Sequence, residues 1–518
     1  MIVNGAEALI ETLQGCGVDI CFANPGTSEM QLVAAIDRQQ GMRAVLGLFE
    51  GVVTGAADGY GRMADKPAIT LLHLGPGLAN GLANLHNARK AGSPIINLVG
   101  DHATYHLQFD APLTTDAAGV ARPMSDWTRV SRSNRDLAQA GAEAFSVAMG
   151  YPGKVATVIV PADHAWTDGG APVASRTVPA APHSPRGAIS SAANGLKAVN
   201  RQKCLFLGGR ALRADALHLA GRIAAATGCR LVAETFAARH QRGVGRVSVE
   251  KLPYFGEQAE AFLKDFGTIV LCGADAPVSF FAYPGKPSWL SPGGATMINL
   301  ASKNEDVQAA LAELADLLNA PSNPANLQPS CITPAKPGKL DGASLGAIIG
   351  ELMPENAIVS DEGATQSANV MNMSAGAKPH DWLQLTGGAI GQGLPLAVGA
   401  AVACPNRKVI ALQADGSGMY TLQALWTMAR ENLDITTILL NNGSYAILNI
   451  ELLRVGVENP GPKALSMLDL KNPSLTWTQI SEGMGVPAVR ATTTEDFRSA
   501  LIAALSQKGP RLIEAILA

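Results

Sequence analysis

None of the seven cysteines, at positions 16, 21, 204, 229, 272, 331 and 404, stands in a C-x-x-C pair with another. Odd in number and scattered, they suit neither a disulfide framework nor a zinc ribbon, and they read as reduced, buried thiols. Charge is scarce as well, at 16% of residues, and the net charge is only −3. Nucleic acid and anionic membrane therefore lose their electrostatic rationale as partners. No basic stretch followed by an apolar run opens the chain. "MIVNGAEALIETLQGCGVD" reads as a short polar start and an amphipathic helix rather than a signal peptide, so the cytoplasm is the expected location. Long uninterrupted apolar runs are missing too. The most apolar stretch, "GGAIGQGLPLAVGAAVAC" (387–404), holds Gln392 and Pro395 and is mostly glycine and alanine; it predicts a tightly packed helix in a core, not a membrane span. A dinucleotide fingerprint is also absent: "LFLGGRALR" (205–213) is a strand and glycine turn but not G-x-G-x-x-G, and no clear ribose-binding acid follows it.

What the chain does contain is apolar mass and glycine. Its 518 residues are 47% hydrophobic with 54 glycines, enough for about two to four domains and for many tight strand–helix turns. Two segments rich in Pro, Ser and Ala, 169–187 and 320–340, lack apolar periodicity and read as linkers. They predict three parts, 1–170, 188–320 and 341–518. Short β-branched runs punctuate each part: 68–74, 94–100 and 154–161; 203–209, 230–235 and 268–274; 357–363, 408–416, 435–442 and 511–517. Such runs alternating with helical patterns imply α/β domains whose parallel sheets are covered on both faces, with ligands at the carboxyl ends of strands. The first and third parts look architecturally alike.

Two of those strand ends carry polar motifs. "KVIAL" runs into "QADGSGMY", and "ITTILL" runs into "LNNGSY". A strand, a glycine turn and a helix start offer free N–H groups to a phosphate. A carboxylate there, Asp415, would repel the phosphate unless a cation lay between them, and magnesium is the natural choice. Asn442 can add an amide oxygen, and Gly443 lets the chain turn so that the Ser444 carbonyl faces the same metal. Either half alone is also an ordinary turn; both together, at successive strand ends, suggest magnesium bridging Asp and Asn to a diphosphate.

With Ala414 in place of the usual glycine, this pair of motifs resembles the cofactor motif of thiamine diphosphate enzymes, closest to the benzoylformate decarboxylase and acetolactate synthase group. The resemblance covers nearly the whole chain. It implies three doubly wound parallel-sheet domains in pyrimidine, central and diphosphate order, with thiamine diphosphate and Mg2+ as cofactors. It also implies a small 2-oxo acid as substrate, decarboxylation or carboligation as the reaction, and a homodimer or homotetramer whose sites form between subunits. "GLFEGVVTGAADGYGR" (47–62) resembles the helix that carries the catalytic glutamate, which puts Glu50 beside the aminopyrimidine. "FANPGTSE" (22–29) resembles the substrate-facing loop, with Thr27 as the hydroxyl and Ser28 as its neighbour. "LLHLGPGLANGLANLHNA" (71–88) brings the strand-end His73. "LTGGAIGQGLP" (385–395) resembles the loop around the aminopyrimidine, with the Gly388 carbonyl as acceptor and Ile390 as apolar wedge. "SDEGATQS" (360–367) offers Thr365, and Gly416, Ser417 and Tyr445 fall around the phosphates.

The pattern also departs from its relatives. Where benzoylformate decarboxylase has a second relay histidine, alignment places Ala282; His102 and His106, in "GDHATYHLQFDAPL", are the candidates to replace it. FAD, usual in acetolactate synthases, is not expected here. A flavin-linked 2-oxo acid oxidase and a catalytically silent homologue are the competing readings. Glu50, Asp415 and Asn442, present together, argue against silence.

Overall fold

The computed structural model describes residues 3–198 and 202–517. Val3–Asn4 (β1) pairs antiparallel with Asp168–Gly170 (β8) as a short ribbon. The first main sheet contains Ile20–Asn24 (β2), Arg43–Leu46 (β3), Ala68–Leu72 (β4), Ile95–Asp101 (β5), Trp127–Val130 (β6) and Val155–Pro161 (β7). Its order is β3-β2-β4-β5-β7-β6, all parallel. The middle sheet contains Gln202–Leu207 (β9), Arg230–Ala233 (β10), Glu250–Lys251 (β12), Phe266–Cys272 (β13) and Thr296–Ala301 (β14), in parallel order β12-β10-β9-β13-β14. His240–Arg242 (β11) falls in the middle stretch of sequence but pairs antiparallel with the third sheet. That sheet otherwise holds Ile358–Glu362 (β15), His380–Gln384 (β16), Val409–Ala414 (β17), Ile435–Asn441 (β18), Ala488–Ala491 (β19) and Arg511–Ile516 (β20), in order β11-β16-β15-β17-β18-β20-β19.

Leaving β11 aside, the first and third sheets have the same strand order: second, first, third, fourth, sixth, fifth. Each run predicted from β-branched composition is a strand, because each is buried on both faces; Val409, Ile410, Ala411 and Leu412 are all fully buried between β15 and β18. Two sheets of one topology present two sets of strand-end loops, and glycine-rich helices clamp them together. The helix Glu50–Ala64 places Gly51, Gly55 and Gly59 one turn apart. A Cβ on Gly55 would lie 2.6 Å from Pro395 Cβ, and one on Gly59 would strike the Leu396 carbonyl. Across the contact, a Cβ on Gly399 of the helix Gly393–Ala403 would strike the Ala56 carbonyl. Backbones this close leave no room for side chains. Within the apolar stretch 387–404, residues 393–403 form a packed internal helix and 387–392 a loop before it, and among the described residues no helix is long and apolar enough to cross a membrane. No disulfide forms among the described residues. Four cysteines are buried, but Cys331 is exposed, which corrects the expectation that all would be interior.

In the middle sheet, Glu234, directly after β10, accepts the Gly209 N–H at 2.7 Å, and burial raises it to about 7.

Candidate active site

At the carboxyl ends of β2 and β4, which pair Asn24 with Leu72, the NPGTSE turn meets His73. Glu29 is fully buried there. Its Oε2 accepts the Gly26 N–H at 2.7 Å and lies 2.8 Å from His73 Nδ1, while Oε1 accepts from Ser28 Oγ at 2.5 Å. A carboxylate only accepts, so Nδ1 carries the proton and Nε2 is the nitrogen left for other work. The ring packs where a Cβ on Gly26 would be, so only glycine fits. Leu74, immediately after His73, has φ 49, a conformation that L-residues rarely adopt and that functional loops often do. Thr27 is exposed, and its hydroxyl makes no hydrogen bond among the described residues.

Glu50 opens its helix and is 7% exposed. The positive end of the helix dipole and Asn80, whose Nδ2 donates to Oε2 at 3.0 Å, support its charge in that position. A Cβ on Gly77 would lie 3.1 Å from Glu50 Oε1 and 3.2 Å from His73 Cβ, so the two side chains border one spot. His102 and His106 follow β5 at the same sheet edge, with ring centroids 5.4 Å apart; His102 Nε2 is buried without a hydrogen-bond partner.

The third sheet builds the second cluster. Strands β17 and β18 pair Ala414 with Leu440, which sets Asp415 beside the NNGS turn. Asp415 is 2% exposed; its Oδ1 accepts the Gly416 N–H at 2.9 Å and its Oδ2 the Gly443 N–H at 2.8 Å. Burial raises its pKa, as expected of a carboxylate that lacks a countercharge. Asn442 Oδ1 accepts the Ser444 N–H at 2.9 Å, and Gly443 turns with φ 65. The Tyr445 ring lies against Gly416, and Ser417 Oγ accepts from Gln413 Nε2 at 2.6 Å. Thr365 sits in the half-buried turn after β15, next to Ala364 at φ 49.

The loop carrying Gly388 and Ile390 is held from both sides. Asn87 Nδ2 donates to the Ala389 carbonyl at 2.7 Å, and Asn84 Nδ2 donates to both Gly51 (2.8 Å) and Gly391 (3.3 Å). Gln392 Nε2 donates to Asp58 at 2.6 Å, and Asp58 is itself paired with Arg62 at 2.6 Å. From below, Glu362 Oε1 accepts the Gly391 N–H at 2.6 Å and Oε2 the Gly393 N–H at 2.5 Å. The Gly388 carbonyl accepts none of these bonds, and Ile390 remains 36% exposed. Phe280, from the stretch where Ala282 was aligned, lies against Gly388: a Cβ there would be 2.6 Å from its ring.

Within one chain, the proposed residues thus fall into two clusters: Thr27, Ser28, Glu50 and His73, and Asp415, Asn442, Ser444 and Tyr445. No hydrogen bond among the described residues joins them. Sequence reading missed Glu29, Asn80 and Glu362. Glu29 had a signal, a Glu three residues after Gly26 in a capping pattern, and Glu362 was an acid ending an apolar strand.

Comparison with known proteins identifies the family. Residues 3–120 match the family described as thiamine pyrophosphate enzyme, N-terminal TPP binding domain, and residues 363–515 match its C-terminal TPP binding domain. The chain is 50% identical over 515 residues to the Mycobacterium tuberculosis protein named "Putative acetolactate synthase large subunit IlvX", covering 99% of each. It is 28% identical over 544 residues to benzoylformate decarboxylase of Pseudomonas aeruginosa, covering 98% of each. Among solved structures, the thiamine diphosphate-dependent 4-hydroxybenzoylformate decarboxylase of Rhodococcus jostii RHA1 superposes with a TM-score of 0.88 at 26% identity, covering 99% of each chain.

Proposed function

The chain belongs to the thiamine pyrophosphate enzymes, and from that premise we propose that it is a thiamine diphosphate- and magnesium-dependent decarboxylase or carboligase of a small 2-oxo acid. One observation carries the reading: buried Asp415 and half-buried Asn442 stand together at adjacent strand ends beside a glycine turn. Their donors are oxygens only, the set that magnesium takes. Among the described residues no group of three His, Cys, Asp or Glu could hold a metal alone, so a cation here needs the diphosphate oxygens to complete its shell. Asp415, Asn442 and the Ser444 carbonyl would hold the metal. Gly416, Ser417, Thr365 and Tyr445 would surround the phosphates.

When bound, thiamine diphosphate supplies an electron sink for the pair left as a 2-oxo acid loses carbon dioxide. The chain does the rest. The Gly388 carbonyl would accept from the amino group of the pyrimidine, and Ile390 would be the apolar wedge packed against the cofactor. Glu50 Oε1, the oxygen Asn80 does not take, holds a proton at a pyrimidine ring nitrogen. Thr27 and Ser28 bind the substrate carboxylate, His73 moves a proton through Nε2, and His102 or His106 supplies the further relay. As the family resemblance implies, the complete site forms between two copies, as a homodimer or a dimer of dimers. Leu48 (45% exposed), Ile390 and Tyr420 (52% exposed) are apolar residues beside the clusters that a second copy would cover.

The test pairs binding with turnover. With cofactor and magnesium, a panel of aliphatic and aromatic 2-oxo acids yields carbon dioxide or ligation products from at least one member. Asp415→Ala weakens magnesium-dependent cofactor binding by at least roughly 100-fold in calorimetry. Near-native binding by that variant would sink the metal assignment.

A further inference from the structure

Between the middle and third sheets, away from both clusters, lies a cavity of about 210 Å³. Its walls come from the end of β10, from β11 and β12, and from the helix Ser367–Met373. Two cations line it without a carboxylate partner. Arg242 donates through Nη2 to the Met371 carbonyl at 2.8 Å, and its guanidinium lies over the Trp382 ring. Its Nη1 is buried with no hydrogen-bond partner. Lys251 Nζ reaches only Met371 Sδ, a weak acceptor, at 4.0 Å, and the Phe236 ring at 6.0 Å. Neither forms an ion pair among the described residues, whereas about half of the other lysines and arginines do. His240, 5% exposed, adds a buried and unpartnered Nε2.

The acids nearby contact neither cation. Glu250 is held by Arg230 at 2.5 Å, on the exposed side of its strand. Glu234 gives its Oε1 to the Gly209 N–H. Asp361 supports both cations at longer range, but its contacts are Trp382 Nε1 at 2.8 Å, Ser367 Oγ at 2.6 Å and the Gly363 N–H at 3.1 Å. Burial pulls Lys251 down to about 8 and Arg242 to about 10, so both stay charged at neutral pH. Desolvated cations without counter-ions are unfavourable unless a ligand supplies the missing charge.

We propose that this cavity binds a small oxyanion, a phosphate or carboxylate group, held by Arg242 and Lys251 with His240 as a third hydrogen-bonding group. Planar Arg242 matches two oxygens of such a group, and Lys251 acts as a point charge beside it. The site does not depend on the cofactor reading, since none of its residues takes part in it. It is one side chain away from the 360–367 turn: Trp382 carries Arg242 on its face and holds Asp361 by its Nε1.

The test is thermal unfolding of the full chain, saturated with thiamine diphosphate and magnesium so that the diphosphate pocket does not compete. Ionic strength is constant while chloride is replaced by inorganic phosphate or, separately, by acetate. Tm rises saturably in at least one arm, and that arm names the anion. Lys251→Met shifts the midpoint of that rise to at least about tenfold higher anion, with no loss of Tm in chloride, because it removes an unpaired buried charge. Lys251→Gln, read in the same way, stands in if the Met variant does not fold. Either the absence of a saturable rise in both arms or an unchanged midpoint in the folded variant overturns the proposal.

Discussion

Glu50 has its carboxylate at the first turn of a helix, with one oxygen held by Asn80 and the other facing the spot it shares with His73. On the proposed reading, a residue so placed would activate the cofactor more than anchor it. Glu50→Gln keeps the shape and the Asn80 contact but cannot pass a proton to a ring. Hydrogen–deuterium exchange at the cofactor's reactive carbon is expected to slow by roughly 10²–10⁴-fold, with a much smaller change in the cofactor Kd. Unchanged exchange would mean that Glu50 is only a tolerated acid in a packed helix. His73 illustrates a different limit of residue-level reading. Its position was legible as a strand-end histidine, but its tautomer depends on Glu29, 44 positions away in sequence and 2.8 Å away in space.

At the scale of elements, the decisive contact is between the helices Glu50–Ala64 and Gly393–Ala403. The glycines were visible in the sequence as a composition; their purpose was not, because close approach is a property of two backbones. Gly399 faces the Ala56 carbonyl with no room for a methyl group. Gly399→Ala is expected to destabilise the chain by about 1–3 kcal/mol, read as a lower urea midpoint at unchanged m-value. A neutral result would mean that the helices part easily. The same contact positions the glycine loop, so the variant should also bind cofactor more weakly.

For the whole molecule, two buried acids set a pH dependence. Glu234 and Glu362 are raised by burial to about 7 from the ordinary 4.5. Between those values the folded chain keeps protons that the unfolded chain has released. Stability from these two groups is therefore greatest below about 4.5, falls as pH rises through 4.5–7, and levels off above. Glu234→Gln should flatten part of that decline in denaturant titrations across the window; an identical slope in the variant would remove Glu234 as a contributor. Assembly belongs to this scale too. Mixed Glu50→Gln and Asp415→Ala subunits are expected to recover some turnover that neither has alone, since one complete site can form per mixed dimer. A fully active monomer in sedimentation would rule this out.

The sequence by itself determined about half of the strands, most of the central ones among them, the two motifs at the ends of β17 and β18, and the glycine loop. All of these rest on short-range physics: continuous burial along a strand, and turns that need Gly443 or Gly388 at positive φ. It also revealed the likeness of the first and third parts, which became an identical strand order. Only the tertiary structure decided which buried charge meets which partner. Glu362 became the brace beneath the Gly391–Gly393 backbone, Asp58 and Arg62 the tie to Gln392 and Thr386, and β11 a strand of the third sheet rather than the middle one. Arg242 and Lys251 became cations without counter-ions for the same reason. Charge pairing inside a core is set by distances across elements far apart in the chain, and periodicity and turn chemistry carry no record of those distances.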